Sequence, residues 1–211
     1  MWNSGLTTHN TRVLNMNTFI LFGQLPFSQY AYQRMASIAR SIGSMSDIEV
    51  LMYKDSFEDL TKKLVNAYSL LPVDISFNDK IVDLLSKPDK NGPRYFVEYT
   101  LLIKGDSELL KCDPYNLGYV SLKLPVSVKT NVISFEIDTG AYSEMLSTET
   151  MDCIKQDYET IKDFMANTFL ALNNESQKFN LRLEEFIIPI LAAKMRSASN
   201  HVDLKDKLNF K

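Results

Sequence analysis

The sequence predicts an α+β fold in which N-terminal helices precede a central antiparallel β-meander of about four strands, followed by a long C-terminal helix and a second helix. Three patterns support this class: helical spacing of apolar residues between positions 29 and 68, alternation of apolar and polar residues in the middle third, and the absence of Gly and Pro from 141–188. A chain of 211 residues with 45% hydrophobic residues is large enough to bury a core without disulfides or metals.

The first part of the chain is predicted to be mostly helical. Ser28 is a suitable N-cap for the first helix, and Gly43 follows its last apolar position. The predicted elements are, in order, a strand at 17–22, a helix at 29–42, a β-prone segment at 47–53, a helix that begins at Asp55 or Ser56 and ends before Pro72, a short helix at 78–85 and a loop at 87–93.

The middle of the chain is predicted to be a sheet. Residues 94–104 are rich in aromatic and β-branched side chains, and Gly105-Asp106 marks a turn. A short strand at 108–112 and two strands with alternating apolar and polar residues, 119–124 and 132–137, complete the meander.

The last third is predicted to be helical from Thr148 onward. Apolar or semi-apolar residues recur at steps of three and four, with Thr168 at one step, and form a heptad seam. Its apolar members up to Leu172 are called the α-seam: Met151, Ile154, Tyr158, Ile161, Met165 and Leu172. The α-seam is interpreted either as a core face packed on the sheet or the second helix, or as a coiled-coil contact with another protomer or partner. A break is expected at Asn173-Asn174 or Phe179-Asn180, before a second helix over 184–197 that Pro189 kinks.

These elements suggest three segments within one compact domain: a mostly helical segment at 1–93, a sheet with a helical hairpin at 94–197, and a loosely attached polar tail at 198–211.

Composition excludes several classes of protein. The net charge of −3, from 23 basic and 26 acidic residues, argues against a dominant nucleic-acid surface and leaves only a local contact open. No apolar run has the length of a signal peptide core or a membrane span. Cys112 and Cys153 form no CxxC pair and are expected to be reduced, which predicts a cytoplasmic protein without a membrane contact.

No catalytic signature stands out. The seven glycines form no phosphate-binding loop, and the two histidines, His9 and His201, lie in polar terminal segments. No cofactor or metal site is therefore predicted.

An enzyme remains the alternative. Restriction-type nucleases hold Mg²⁺ with an Asp on one strand and Glu-x-Lys on the next. Asp89 precedes a strand with Glu98, but Thr100 stands where the Lys belongs. A divergent metal-dependent nuclease or other hydrolase would use these carboxylates together with Asp106 and Glu108.

Two segments carry a resemblance to a known region. The first is Ile103-Lys104-Gly105-Asp106-Ser107-Glu108-Leu109-Leu110-Lys111-Cys112-Asp113-Pro114. The second is Ile133-Ser134-Phe135-Glu136-Ile137, followed by the long helix with Phe179-Asn180, Leu183, Phe186-Ile187 and Ala193-Lys194. This order resembles an uncharacterised N-terminal region of bacterial multidomain proteins from defence islands, whose C-terminal domains are often nuclease-like or TIR-like. The chain departs from that region by ending at Lys211, where the effector domain would begin, and by Glu184, where a Pro often follows the Leu.

The resemblance implies a sensor, adaptor or oligomerisation module that acts with a separate effector. The residues themselves suggest two association surfaces, an exposed strand edge and the α-seam. We therefore expect a non-catalytic protein-interaction module that binds a protein partner or a second copy of itself through the long C-terminal helix, as an accessory component of an anti-phage defence system.

Overall fold

The computed structural model describes residues 17–114 and 123–208. The predicted strand at 119–124 therefore lies mostly outside the described residues. The helices are α1 (Phe27–Ser44), α2 (Asp47–Leu51), α3 (Phe57–Tyr68) and α4 (Thr148–Lys207), and a 3₁₀ turn covers Ser107–Lys111. The strands are β1 (Asn17–Ile20), β2 (Leu25–Pro26), β3 (Asp74–Asp89), β4 (Gly92–Lys104), β5 (Cys112–Asp113), β6 (Pro125–Lys129) and β7 (Val132–Asp138).

The predicted α+β class is confirmed. An antiparallel five-stranded sheet has the order β1-β6-β7-β4-β3, and the two-residue strands β2 and β5 form a separate parallel pair. Hairpins join β3 to β4 and β6 to β7, while β7 lies next to β4 and β1 extends the sheet beyond β6. The predicted helices at 29–42 and in 55–71, and the strands at 94–104 and 132–137, correspond to α1, α3, β4 and β7.

Three short elements differ from the prediction. The β-prone segment at 47–53 contains helix α2, because the Ser46 hydroxyl accepts a hydrogen bond from the Glu49 amide and Val50 packs in the core. The predicted strand at 108–112 is largely the 3₁₀ turn, and only β5 pairs with another strand.

The predicted helix at 78–85 is part of strand β3, which pairs with β4 from Ile81 to Asp89. Since Asp89 lies opposite Gly92, the predicted loop at 87–93 shortens to a two-residue turn, and Gly92 has a φ of 117° that favours glycine.

Helix α4 is continuous over 60 residues, which corresponds to a length of about 90 Å. The predicted break, the second helix and the resulting helical hairpin are absent, and Pro189 lies inside the helix. Asn173 and Asn180 do not end the helix, because their side chains bind the backbone of the segment between α3 and β3. Residues 198–207 continue the helix instead of forming a loose tail.

One face of the sheet packs against α4 and is called the core face. Tyr158 of α4 stacks on Tyr99 of β4 with ring centroids 4.4 Å apart, and Tyr99 stacks on Phe135 of β7 at 5.5 Å. Helices α1, α2 and α3 pack along α4 as well, so that one continuous set of buried residues extends from the sheet to Leu191. The opposite face of the sheet is called the open face.

Candidate interaction surfaces

The α-seam lies mostly inside the chain's own core. Five of its side chains are buried, with exposed fractions of 6% for Ile154, 3% for Tyr158, 7% for Ile161 and 0% for Met165 and Leu172. Met151 is the exception and is 43% exposed. The buried five belong to the same cluster as the sheet residues, so they present no surface to a partner in this structure.

The solvent-facing side of α4 carries only scattered apolar residues. Leu170, Leu181 and Ile188 are exposed and lie on one line along the helix, because they are spaced by eleven and seven residues. Polar residues such as Gln177 and Glu184 lie between them on the same line. Single exposed apolar residues of this kind are ordinary on protein surfaces and do not form a docking patch.

Part of the open face is a hollow lined mainly by polar side chains. Thr18, Ser127, Ser134 and Thr100 lie opposite one another on successive strands and form a row of hydroxyls. The Thr100 and Ser134 hydroxyls are 2.8 Å apart and share a hydrogen bond. A hollow of about 490 Å³ lies over this part of the face.

A row of carboxylates crosses the same face next to the hydroxyls. The strand register places Asp83 of β3 opposite Glu98 of β4, and Glu98 opposite Glu136 of β7. Lys87 forms an ion pair with Glu136 and lies 4.9 Å from the centre of the Phe96 ring. The row therefore holds three negative charges and one direct counter-charge.

An ion pair between Arg94 and Asp138 lies at one end of the open face. The Arg94 guanidinium donates two hydrogen bonds to Asp138, at 2.9 and 2.6 Å, and this pairing lowers the pKa of the Asp138 carboxyl. Asp138 also accepts a hydrogen bond from the Gly140 amide, which fixes the start of the loop before α4.

The carboxylates of the nuclease alternative lie in separate places. Asp89 is at the β3–β4 turn, where a hydrogen bond from the Tyr142 hydroxyl lowers its pKa, and Glu98 is in the middle of β4. Asp106 and Glu108 follow the other end of β4, and burial raises the pKa of Asp106. The thirteen residues of β4 separate the two ends by about 40 Å, too far for Asp89 and Asp106 to bind one ion. Across 17–114 and 123–208, no group of three or more His, Cys, Asp or Glu side chains is placed to hold a metal ion.

The cysteines and the described histidine form no nucleophile–base pair. Burial, followed by the nearby Glu108 and Asp106, raises the pKa of the Cys112 thiol to about 12, while Cys153 is exposed. The His201 ring binds Asp47 through Nδ1 at 2.9 Å, and Lys194 binds the other oxygen of the same carboxylate at 3.0 Å. These contacts tie α4 to α2.

The outer edge of β3 is the most distinctive surface. This strand has 16 residues and pairs on one side with β4, and within the described chain no strand pairs with its other side. A bulge interrupts the ladder between Ser76 and Ile81, after which pairing is continuous to the turn. Ile81, Val82 and Leu84 are 61%, 48% and 41% exposed, so the edge is apolar as well as unpaired.

The exposed apolar residues of β3 lie on both faces of the sheet. Ile81 is opposite Thr100 and therefore belongs to the open face, whereas Val82 is opposite Tyr99 and belongs to the core face. The sequence prediction missed this edge because it assigned a helix here. The dipeptide Asn91-Gly92, a strong hairpin signal, would have indicated a strand on each side of the turn.

Neither the hydropathy of the helices nor a comparison with known proteins indicates a function. None of the helices in the described ranges has the length and hydropathy needed to cross a bilayer. Neither protein-family models nor curated proteins nor solved structures show a match to this chain. The resemblance to a defence-associated region stays a prediction, and the surfaces described above are the basis for a functional proposal.

Proposed function

We propose that this chain is a non-catalytic protein-interaction module that binds an extended segment of a partner protein along the outer edge of β3. The observation that carries the proposal is the long, unpaired and apolar edge from Ile81 to Leu85. Strand addition uses such an edge, because main-chain hydrogen bonds supply affinity and alternate side chains supply specificity.

The β3 edge is a better candidate binding site than the long helix α4. The α-seam residues from Ile154 to Leu172 are occupied by the chain's own core. The β3 edge needs no rearrangement, because the pairing of β3 with β4 already holds the strand extended and in register. A preformed surface loses less conformational entropy on binding than one that must be opened.

The biological setting is proposed from the resemblance alone. An accessory, sensor or oligomerisation component of an anti-phage defence system would bind a nuclease-like or TIR-like effector, and effectors of this kind are the first partners to test. The β3 edge would then recognise an extended segment of the effector.

The test is selection of peptides from a displayed library of random nonapeptides against the whole chain. Selected peptides should bind the parent chain and lose binding to Val82→Lys/Leu84→Lys, because two charges then occupy the edge. Leu181→Lys is the matched control: this leucine is 74% exposed on α4, and its substitution should leave binding unchanged.

Amide hydrogen exchange locates the bound peptide independently of the variants. Slower exchange in β3 on peptide binding would support the proposal. A selection without binders, equal binding to the double variant in a folded state, or protection confined to other elements would overturn it.

A further inference from the structure

The middle of the β3 edge is acidic. Asp83 lies between two apolar pairs, Ile81-Val82 and Leu84-Leu85, and its side chain belongs to the open face because it is opposite Glu98. Glu98 is in turn opposite Glu136, and like charges directly opposite each other destabilise a sheet.

The acidic row lacks a positive charge at its β3 end. Lys87 neutralises Glu136, but within the described part of the chain neither Asp83 nor Glu98 has a basic group at salt-bridge distance. A strand added beyond β3 would place one side chain directly opposite Asp83 on the same face. A basic side chain at that position would place a positive charge next to Asp83.

The apolar residues on either side define the neighbouring positions of the added strand. Residues opposite Ile81 and Leu85 would lie on the open face, and residues opposite Val82 and Leu84 on the core face. Because all four positions of β3 are apolar, apolar partners fit all of them. We infer that the β3 edge recognises an extended partner segment with Lys or Arg opposite Asp83 and two apolar residues on each side. This inference rests on the proposed function. The residue pattern of the partner segment is symmetric about the basic residue, so it fits a parallel or an antiparallel added strand.

The same residues argue against a second copy of this chain as the occupant. When two β3 edges pair antiparallel about a twofold axis, only one register brings all four apolar residues opposite apolar residues: Val82 opposite Leu84, and Ile81 opposite Leu85. That register places Asp83 directly opposite the second Asp83, and this repulsion disfavours self-pairing. Asp83 thus selects a basic partner over a copy of itself.

The experiment uses three synthetic nonapeptides with the core Val-Ile-X-Ile-Val, where X is Lys, Gln or Glu, and the whole chain. We expect the Lys peptide to bind the parent chain about tenfold more tightly than the Glu peptide, because one attraction replaces one repulsion at an exposed site. The preference should shrink at high salt and reverse in Asp83→Lys. Asp59→Lys, an exposed change in α3, is the control and should keep the parent preference.

The outcomes separate the inference from the proposed function. If none of the three peptides binds but peptides selected from the random library bind the β3 edge, the inferred pattern is wrong and the proposed function stands. If the library selection also gives no binders, both are overturned. If the three peptides bind the β3 edge equally and Asp83→Lys changes nothing, the edge is a binding site but the charge inference is wrong. Light scattering tests whether a second copy of the chain occupies the edge. The inference would be overturned if the parent chain is a dimer and Val82→Lys/Leu84→Lys dissociates it. It would be supported if the parent chain is a monomer and Asp83→Leu self-associates.

Discussion

Two asparagines of α4 hold the segment that leads from α3 into β3. The Asn180 side chain accepts a hydrogen bond from the Leu70 amide at 2.8 Å and donates one to the Leu70 carbonyl at 2.9 Å. Asn173 forms the same pair of bonds with Val73, both at 2.8 Å. Leu70 and Val73 are only 1% and 2% exposed, so these backbone groups depend on the two side chains.

Asn180→Ala should therefore lower the free energy of unfolding by about 1.5–5 kcal/mol. Two backbone groups of Leu70 lose their partners, and an unsatisfied buried group costs about 1–3 kcal/mol. The higher helix propensity of Ala returns about 0.6 kcal/mol. Asn174→Ala is the matched control, because Asn174 is exposed in the same helix. Its substitution changes helix propensity but keeps the hydrogen bonds between Asn180 and Leu70.

Asn180→Asp adds a pH dependence to the same site. The new carboxyl group can still accept from the Leu70 amide, but when ionised it faces the Leu70 carbonyl without a proton to donate. Burial and this repulsion raise its pKa in the folded state above the unfolded value. A raised folded-state pKa gives stability at low pH that is lost as pH rises, so the deficit relative to the parent chain should shrink on acidification.

Urea unfolding followed by far-UV circular dichroism measures these differences, with equal m-values required for the comparison. A free energy of unfolding for Asn180→Ala within about 0.5 kcal/mol of that for Asn174→Ala would refute the stabilising role of Asn180, since its hydrogen bonds would then contribute no more than an exposed amide.

Three further changes test other parts of the fold. Gly105→Ala should destabilise by about 3 kcal/mol or more in urea unfolding, because the added Cβ would lie 1.9 Å from the Pro72 carbonyl oxygen at a φ of 88°; a neutral result would contradict this turn. An aromatic disulfide reagent should modify Cys153 rapidly and Cys112 only after unfolding, because Cys112 is buried with its pKa raised to about 12; two fast thiols would contradict the burial. Met165→Glu should unfold the chain, because an unpaired charge replaces a fully buried side chain. Light scattering and circular dichroism check this result. If the parent chain is a dimer and Met165→Glu is a folded monomer, the α-seam lies at an interface instead.

The sequence predicts elements well where local pattern and packing agree. Strand β7 alternates buried Ile133, Phe135 and Ile137 with half-buried polar residues, and this alternation identifies it without knowledge of its neighbours. The heptad spacing of the α-seam likewise identifies a long helix. The same spacing does not decide between core and interface, because both place apolar residues at the same positions.

The errors arise where a distant contact decides the local structure. Ile81, Leu84 and Leu85 have the i, i+3, i+4 spacing of a helix, but pairing with β4 makes the segment a strand. Asn173 and Asn180 have low helix propensity, which indicated a break. In the fold their side chains bind backbone groups 100 and 110 residues away in sequence, so residues that weaken the helix locally stabilise its packing.

The β3 edge depends on the same kind of distant contact, because pairing with β4 makes this segment an edge strand. Soluble proteins protect edge strands with charges, bulges or proline against non-specific pairing. In β3 the bulge and Lys80 precede the apolar stretch, and Lys87 and Pro88 follow it. Asp83 is the one charged residue left between them, at the position where two copies of the apolar stretch would meet. One carboxylate in that position both prevents indiscriminate pairing and offers a basic partner a specific contact, so the protection of the edge and its proposed recognition depend on the same side chain.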